Sequence, residues 1–338
     1  MTILVTGGLG YIGSHTVVEL LNNNFEVVII DDLSNTEKFI LKNIEEITGK
    51  KPIFYPFDLK RKELLKQVFD AHKIEGCIHF AAYKAVGESQ VKPIDYYENN
   101  LFSLINLLQE MKERNISNFI FSSSCTVYGQ ADTMPIDENT PLKLPESSYG
   151  KTKQMGEEIL KDFATAHQKK VTLLRYFNPI GAHPSAKLGE LPIGIPNNLV
   201  PYVMQTAAGV REKLSVWGND YPTEDGTAIR DYIYVVDLAK AHVKALQKLI
   251  SENSETLVDI YNLGTGKGSS VLEVVHAFEK ANDVAVPYQI CERRAGDITI
   301  AYANADKAEK ELGWKSETSL EEALRTVWQW QKYLETRS

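Results

Sequence analysis

The sequence predicts an α/β fold, a doubly wound parallel sheet joined to a smaller C-terminal α/β unit. Three observations predict it. Short runs rich in Val, Ile and Phe alternate with helical patterns through the first half of the chain. Those runs are continuously apolar, as in strands that helices cover on both faces. A glycine-rich turn, "TGGLGYIGSH", follows the first run and opens the first helix.

The elements follow in order. "ILVT" at 3–6 and "EVVII" at 26–30 read as buried strands, with a helix from Tyr11 to Asn23 between them. "PIFYPF" at 52–57 is a third strand, followed by the charged helix "KRKELLKQVFDAHK", and "CIHF" at 77–80 is a fourth. A long helix is expected from Pro93 to Arg114, then the strand "NFIFSSS" at 118–124. A helix carrying Tyr149 and Lys153 comes next, then the strand "VTLLRYF" at 171–177. After Asn178 the texture changes. "PIGAHPSAKLGELPIGIPNNLVP" is rich in Pro and Gly and reads as a long loop. Beyond it lie "DYIYVVDLAKAHVKAL" at 231–246, "DIYNLGTG" at 259–266 and two helical patterns after Asp306. A boundary near residue 180 divides the chain into 1–180 and 181–338, with some later segments packing back on the first part.

Composition excludes several function classes. The chain has 338 residues, 43% hydrophobic and 24% charged, a normal globular balance. The formal charge is −8 with no long basic run, which argues against general affinity for nucleic acid or anionic membrane. No apolar run approaches a membrane span. The N-terminal residues have no basic flank or long apolar region, so no signal peptide is expected. Cys77, Cys125 and Cys291 are far apart and form neither a disulfide framework nor a zinc site. These features point to a cytoplasmic protein without a metal.

Gly7, Gly10 and Gly13 are spaced G-x-x-G-x-x-G between strand and helix. Glycine permits a tight turn and lets the backbone approach a diphosphate, while the helix N-terminus offers free N–H groups. Asp31, with Asp32 beside it, ends the second strand. A carboxylate there accepts hydrogen bonds from adenosine ribose hydroxyls and repels a 2′-phosphate, which favours NAD over NADP. This is a Rossmann-type arrangement. Asp58 and Leu59 lie at the next strand end, where an adenine would sit, although a plain strand terminus reads equally well there.

Chemistry in such a sheet lies beyond the carboxyl ends of the strands. Ser122, Ser123 and Ser124 run off the fifth strand towards that crevice. Tyr149 and Lys153 stand one helical turn apart. A free phenol titrates near pH 10. A lysine ammonium and the cationic ring of NAD⁺ both favour the phenolate, which makes Tyr149 a candidate base. Alone, the pair also reads as an ordinary solvated helix face; with the glycine loop, Asp31 and Ser124 it reads as catalytic.

These motifs together resemble the extended short-chain dehydrogenase/reductase family. The blocks "HFAAYKAVGES", "SSSCTVYG", "SSYGKTK", "LRYFNPIGAHPS", "GIPNNLVPY", "GNDYPTEDGTAIRDYI" and "YNLGTGKGSSVLEVV" resemble its UDP-hexose 4-epimerases along essentially the whole chain. The resemblance implies an isomerase that interconverts UDP-galactose and UDP-glucose on tightly bound NAD. Residues 1–180 would then bind NAD and 181–338 the UDP-sugar. It implies catalytic roles for Tyr149, Lys153 and Ser124. It implies cofactor contacts from Gly7, Gly10, Tyr11, Ile12, Gly13, Asp31, Asp32, Asn35, Asp58, Leu59, Phe80, Ala81, Lys84, Asn99, Ser122 and Tyr176, besides Tyr149 and Lys153. UDP-sugar contacts are implied for Ser124, Asn178, Asn198, Leu199, Arg230, Tyr232, Arg293, Asp297 and Ala301. Each of these arginines also reads as a surface ion pair, and each asparagine as a turn or cap.

Ala82 and Cys125 stand where the family commonly has Gly and Ala. Cys125 beside Ser124 reads as a small buried residue rather than a nucleophile. Ala301 matches a position occupied by tyrosine or by a small residue; a small one leaves room at the sugar C2 and predicts activity on N-acetylated UDP-sugars. The family also implies a homodimer through helices near 95–114 and 150–167, whose apolar stripes read equally as internal packing. Two rivals are a nucleotide-sugar 4,6-dehydratase and a catalytically silent sensor on the same fold. Ser124-Cys125-Thr126-Val127 lacks the carboxylates that a dehydratase needs, and a sensor would not need Tyr149, Lys153 and Ser124 together.

Overall fold

Seven parallel strands form the central sheet of the computed structural model, which describes residues 1–251, 256–294 and 297–337. In chain order these are β1 (Thr2–Thr6), β2 (Glu26–Ile30), β3 (Ile53–Tyr55), β4 (Ile74–His79), β5 (Asn118–Ser122), β6 (Lys170–Tyr176) and the late strand Val258–Leu263. In space the order is Val258–Leu263, β6, β5, β4, β1, β2, β3. The order reverses direction at β1, and there a crevice opens beyond the strand ends.

Alternate residues of each strand feed opposite faces. Ile3, Val5, Val27 and Ile29 join one core, under the helices Tyr11–Asn22, Phe39–Thr48 and Val235–Ile250. Leu4, Val28, Phe119, Phe121 and Leu173 join the other, under Lys62–Ala71, Ser103–Glu113 and Ser148–His167. The first-half strands fall where the apolar runs predict them. The long helix from Pro93 contains one wide turn, Glu98–Phe102, of π geometry. That turn buries both Asn99 and Asn100, and such turns often mark functional positions.

Beyond β6 the strands are short, apart from Val258–Leu263. Asn178–Ile180 pairs in parallel with Tyr232–Tyr234. Ser269–Ser270, Ile229–Arg230 and Ile300–Ala301 form a three-stranded patch, and Leu214–Trp217 pairs with Tyr288–Cys291. The helices Val271–Asn282 and Leu320–Glu335 each open with a capping box, Ser270 with Glu273 and Ser319 with Glu322. The Pro- and Gly-rich stretch is mostly irregular, but its end forms the N-terminus of the helix Leu199–Ala207. Among the described residues, no helix is long and apolar enough to cross a membrane.

Candidate active site

The glycine turn is built by close backbone approach. Gly7 adopts φ +68°, and its N–H donates to Ile30 O at 2.8 Å. A Cβ on Gly7 would lie 2.7 Å from Ala81 N, and one on Gly13 would lie 2.1 Å from Gly7 O. Side chains are therefore sterically forbidden at both positions, so glycine is dictated by the backbone path. Gly10 precedes the helix Tyr11–Asn22, and no side chain caps that end. Its first N–H groups and its dipole face the crevice. Phe80 N and Ala81 N both donate to Thr6 O, which lays the end of β4 against the turn.

Asp31 is buried and accepts hydrogen bonds from Leu9 N and Leu33 N, each at 3.0 Å. Burial raises its pKa, and these backbone donors oppose that shift. Each carboxylate oxygen accepts one backbone N–H and retains a lone pair for a ribose hydroxyl. Asp32 is exposed and turned back on Ser34, and Asn35 is exposed beside it. Asp58 caps its own turn through Lys60 N at 2.8 Å. Leu59 points its side chain into the core with Leu4 and Val28, so only its backbone can reach the strand end. Glycine turn, bare helix end and Asp31 together fit a dinucleotide.

Ser147 starts the next helix by accepting Gly150 N at 3.1 Å, which sets Tyr149 in its first turn. Tyr149, Lys153 and Ser124 are each more than nine-tenths buried. Lys153 Nζ donates to Ser122 O at 2.7 Å and lies 5.8 Å from the centre of the Tyr149 ring. Ser122 Oγ hydrogen-bonds Tyr176 OH. Burial pushes the Tyr149 phenol well above its ordinary pKa, while a hydrogen bond with Ser124 acts the other way. Burial also brings Lys153 down to about 7, against the pull of Glu157. In the protein alone desolvation is the largest influence on both groups, so Tyr149 holds its proton. Ser124 itself accepts Thr126 N at 3.2 Å and so begins the short turn Cys125–Tyr128. Burial raises the Cys125 thiol to about 12, which leaves it a poor nucleophile.

A third group lies across the crevice. Arg230 is 3.6 Å from Asp297, which also accepts Arg294 through both carboxylate oxygens. Arg293 donates from Nε to Asp220 Oδ1 at 2.6 Å and stacks on Tyr221. Asn178 N donates to Asp231 O, which links that strand to Arg230 and Tyr232. Ala301 pairs in register with Arg230 and shares an apolar cluster with Val127 and Phe177, against which Cys125 packs. Asn198 stands at the head of the helix Leu199–Ala207. Its Nδ2 donates to Glu190 Oε1 at 2.8 Å, and Lys84 Nζ reaches the same oxygen at 2.8 Å.

Three residues here escaped sequence reasoning. Glu190 links Lys84 to Asn198 from inside the stretch read as a loop. Trp217 ends its strand with an exposed indole, beside the strand that leads to Arg293. Tyr221 carries the Arg293 guanidinium on its ring. Glu190 and Trp217 were signalled only by their setting among Gly, Pro and charged residues, and Tyr221 by its place in the block "GNDYPTEDGTAIRDYI".

The chain is similar to known proteins along nearly its whole length. A family profile described as GDP-mannose 4,6 dehydratase matches residues 4–327. The chain is 54% identical over 332 residues to UDP-glucose 4-epimerase of Bacillus subtilis (strain 168), covering 98% of this chain and 97% of that protein. A crystal structure of UDP-glucose 4-epimerase from Bifidobacterium longum, in complex with NAD⁺ and UDP, superposes with a TM-score of 0.95 at 48% identity, covering 98% of each chain. The UDP-Glc/GlcNAc 4-epimerase of Campylobacter jejuni superposes with a TM-score of 0.84 at 35% identity, covering 98% of this chain and 99% of that one.

Proposed function

Because this chain belongs to the UDP-glucose 4-epimerase family, we propose that it interconverts UDP-galactose and UDP-glucose on tightly bound NAD. The observation that carries this reading is the meeting of Tyr149, Lys153 and Ser124 at the strand ends, between a dinucleotide cradle and a cluster of arginines.

Gly7, Gly10, Gly13 and the helix end behind them would hold the diphosphate of NAD, and Asp31 its adenosine ribose. Lys153 would hold the nicotinamide ribose. The chemistry that bound NAD⁺ supplies is a reversible hydride acceptor for the sugar C4. Tyr149 takes the proton of the 4-hydroxyl as C4 is oxidised and returns it when C4 is reduced from the other face. Ser124 orients that oxygen, and the Lys153 ammonium stabilises the phenolate. Between the two transfers the 4-keto sugar turns about its diphosphate link. Arg230 and Arg293 clamp the phosphates with permanent charge, and Trp217 offers an aromatic face to the base. A 4,6-dehydratase must also expel water, and Ser124-Cys125-Thr126-Val127 brings no carboxylate for that step.

The small Ala301 side chain supports a wider substrate range that includes UDP-N-acetylglucosamine and UDP-N-acetylgalactosamine. Val91, Ile94 and Phe102 are 77%, 71% and 55% exposed along the helices from Val86 to Phe102. That apolar surface supports a homodimer. Three free cysteines support a cytoplasmic location.

The direct test is incubation of the purified protein with UDP-galactose and no added cofactor. UDP-glucose is expected. Tyr149→Phe is expected to lose activity by about 10²–10⁴-fold while keeping its NAD. No product, even with NAD supplied, would reject the reading.

A further inference from the structure

Three buried side-chain atoms stand without a hydrogen-bond partner among the described residues: His15 Nε2, His242 Nε2 and Tyr221 Oη. The two histidines are buried, each with Nδ1 against a carbonyl of its own helix. Tyr221 is placed differently. It lies in the loop between the strands Leu214–Trp217 and Ile229–Arg230 and is 4% exposed.

The fold holds Tyr221 firmly. Its N–H donates to Gly226 O at 3.0 Å, and its carbonyl accepts Thr223 N at 2.8 Å. Gly218, at φ +83°, presses on the ring edge, where a Cβ would come within 2.5 Å of Tyr221 Cε2. The Arg293 guanidinium covers the ring at 4.0 Å. Burial raises the hydroxyl's pKa and Asp297 adds to that, while Arg293, Arg230 and Arg294 oppose it, so it lies within reach of that charged cluster. A buried phenol normally finds a partner, and leaving it without one costs stability. This one is left bare beside the arginines.

We propose that the Tyr221 hydroxyl is a substrate-binding group that donates a hydrogen bond to a diphosphate oxygen of the nucleotide held by Arg230 and Arg293. The proposal rests on the reading of this cluster as the UDP-sugar site and adds one residue to it. Ring and hydroxyl then have separate tasks. The aromatic face orients Arg293, and the oxygen meets the ligand.

Tyr221→Phe keeps the ring and removes only the hydroxyl. Two quantities are measured on the NAD-loaded protein: the unfolding midpoint without UDP, and the affinity for UDP by calorimetry. The midpoint is expected to hold or rise, since an unpaired buried hydroxyl has gone. UDP binding is expected to weaken about tenfold, the value of one hydrogen bond to a charged group. The KM for UDP-galactose is expected to rise by more than kcat falls. Tyr221→Leu, which also releases Arg293, is expected to weaken UDP further. A lower midpoint with unchanged UDP affinity would show a structural hydroxyl and overturn the proposal. Equal UDP affinity in wild type and Tyr221→Phe would overturn this assignment alone. Absence of UDP binding by the wild type would overturn the site reading with it.

Discussion

Glu157 and Arg175 form a two-pronged ion pair inside the fold. Arg175 Nε meets Glu157 Oε1 at 2.8 Å and Nη2 meets Oε2 at 2.5 Å, with side-chain exposures of 2% and 0%. Glu157 lies one turn beyond Lys153, and Arg175 precedes Tyr176 in β6. Ser123 Oγ donates to the same carboxylate at 2.6 Å, and Arg175 Nη1 donates to Tyr128 OH at 3.0 Å. One buried pair thus ties the serine turn and the Tyr149 helix to the sheet.

Arg175→Met strands the Glu157 carboxylate away from water. It is expected to cost about 3–5 kcal/mol in urea denaturation, because an unpaired buried charge remains. Adding Glu157→Leu is expected to recover most of that loss. A single variant as stable as wild type would contradict the pair's buried character.

Stability is expected to fall on mild acidification. Burial lowers His15 and His79 to about 3 and His242 to about 4, from an ordinary 6.5. Below 6.5 the unfolded chain takes up protons that the folded chain refuses, so the contribution present above 6.5 is lost as pH drops. Each histidine accounts for about 1 kcal/mol between pH 6.5 and 5.5. His242→Phe should flatten the slope, with His15, His79 and His183, whose pKa burial also lowers, still contributing. Equal slopes in denaturation series across that range would refute the assignment.

Gly13→Ala drives a methyl group into Gly7 O, at 2.1 Å before relaxation. The turn must open, at a cost of about 1–3 kcal/mol. The variant is expected to purify without its dinucleotide, as read from its absorbance and fluorescence. A variant that retains a full complement would show that the turn has slack.

Ala301→Tyr should narrow the substrate range. The phenol would fill the space beside Phe177 and Val127. Turnover of UDP-N-acetylglucosamine is expected to fall at least about tenfold relative to UDP-galactose, the scale at which one steric mismatch discriminates. An unchanged ratio would move the specificity determinant elsewhere.

Local patterns made much of this site legible before any coordinates. Tyr149 and Lys153 are four residues apart on one helix, and Gly7, Gly10 and Gly13 share one turn, so short-range spacing reports them. Asp31 follows directly from the end of β2. Glu190 is different, because it meets Lys84 from 106 residues away, in a stretch with no periodicity. Trp217 ends a short strand that pairs in parallel with Tyr288–Cys291, far along the chain, and Tyr221 lies in the loop that follows it. The helix Phe39–Thr48 lay in a segment for which no element was expected, although Ile40 and Ile44 enter the core and Phe39, Leu41 and Ile47 pack against it.

The position of Val258–Leu263 has a consequence for biosynthesis. This strand covers the outer edge of β6, and its Asn262 carboxamide oxygen accepts Tyr128 OH at 2.7 Å. A ribosome releases β6 long before that strand has been made. Through the interval the nascent chain presents an unpaired edge of almost wholly buried residues, Val171 to Tyr176, the kind of edge that recruits foreign strands. Completion of the sheet beside Tyr149 and Lys153 therefore waits on late translation, and shielding of that edge by a chaperone during elongation is expected to raise the yield of native protein.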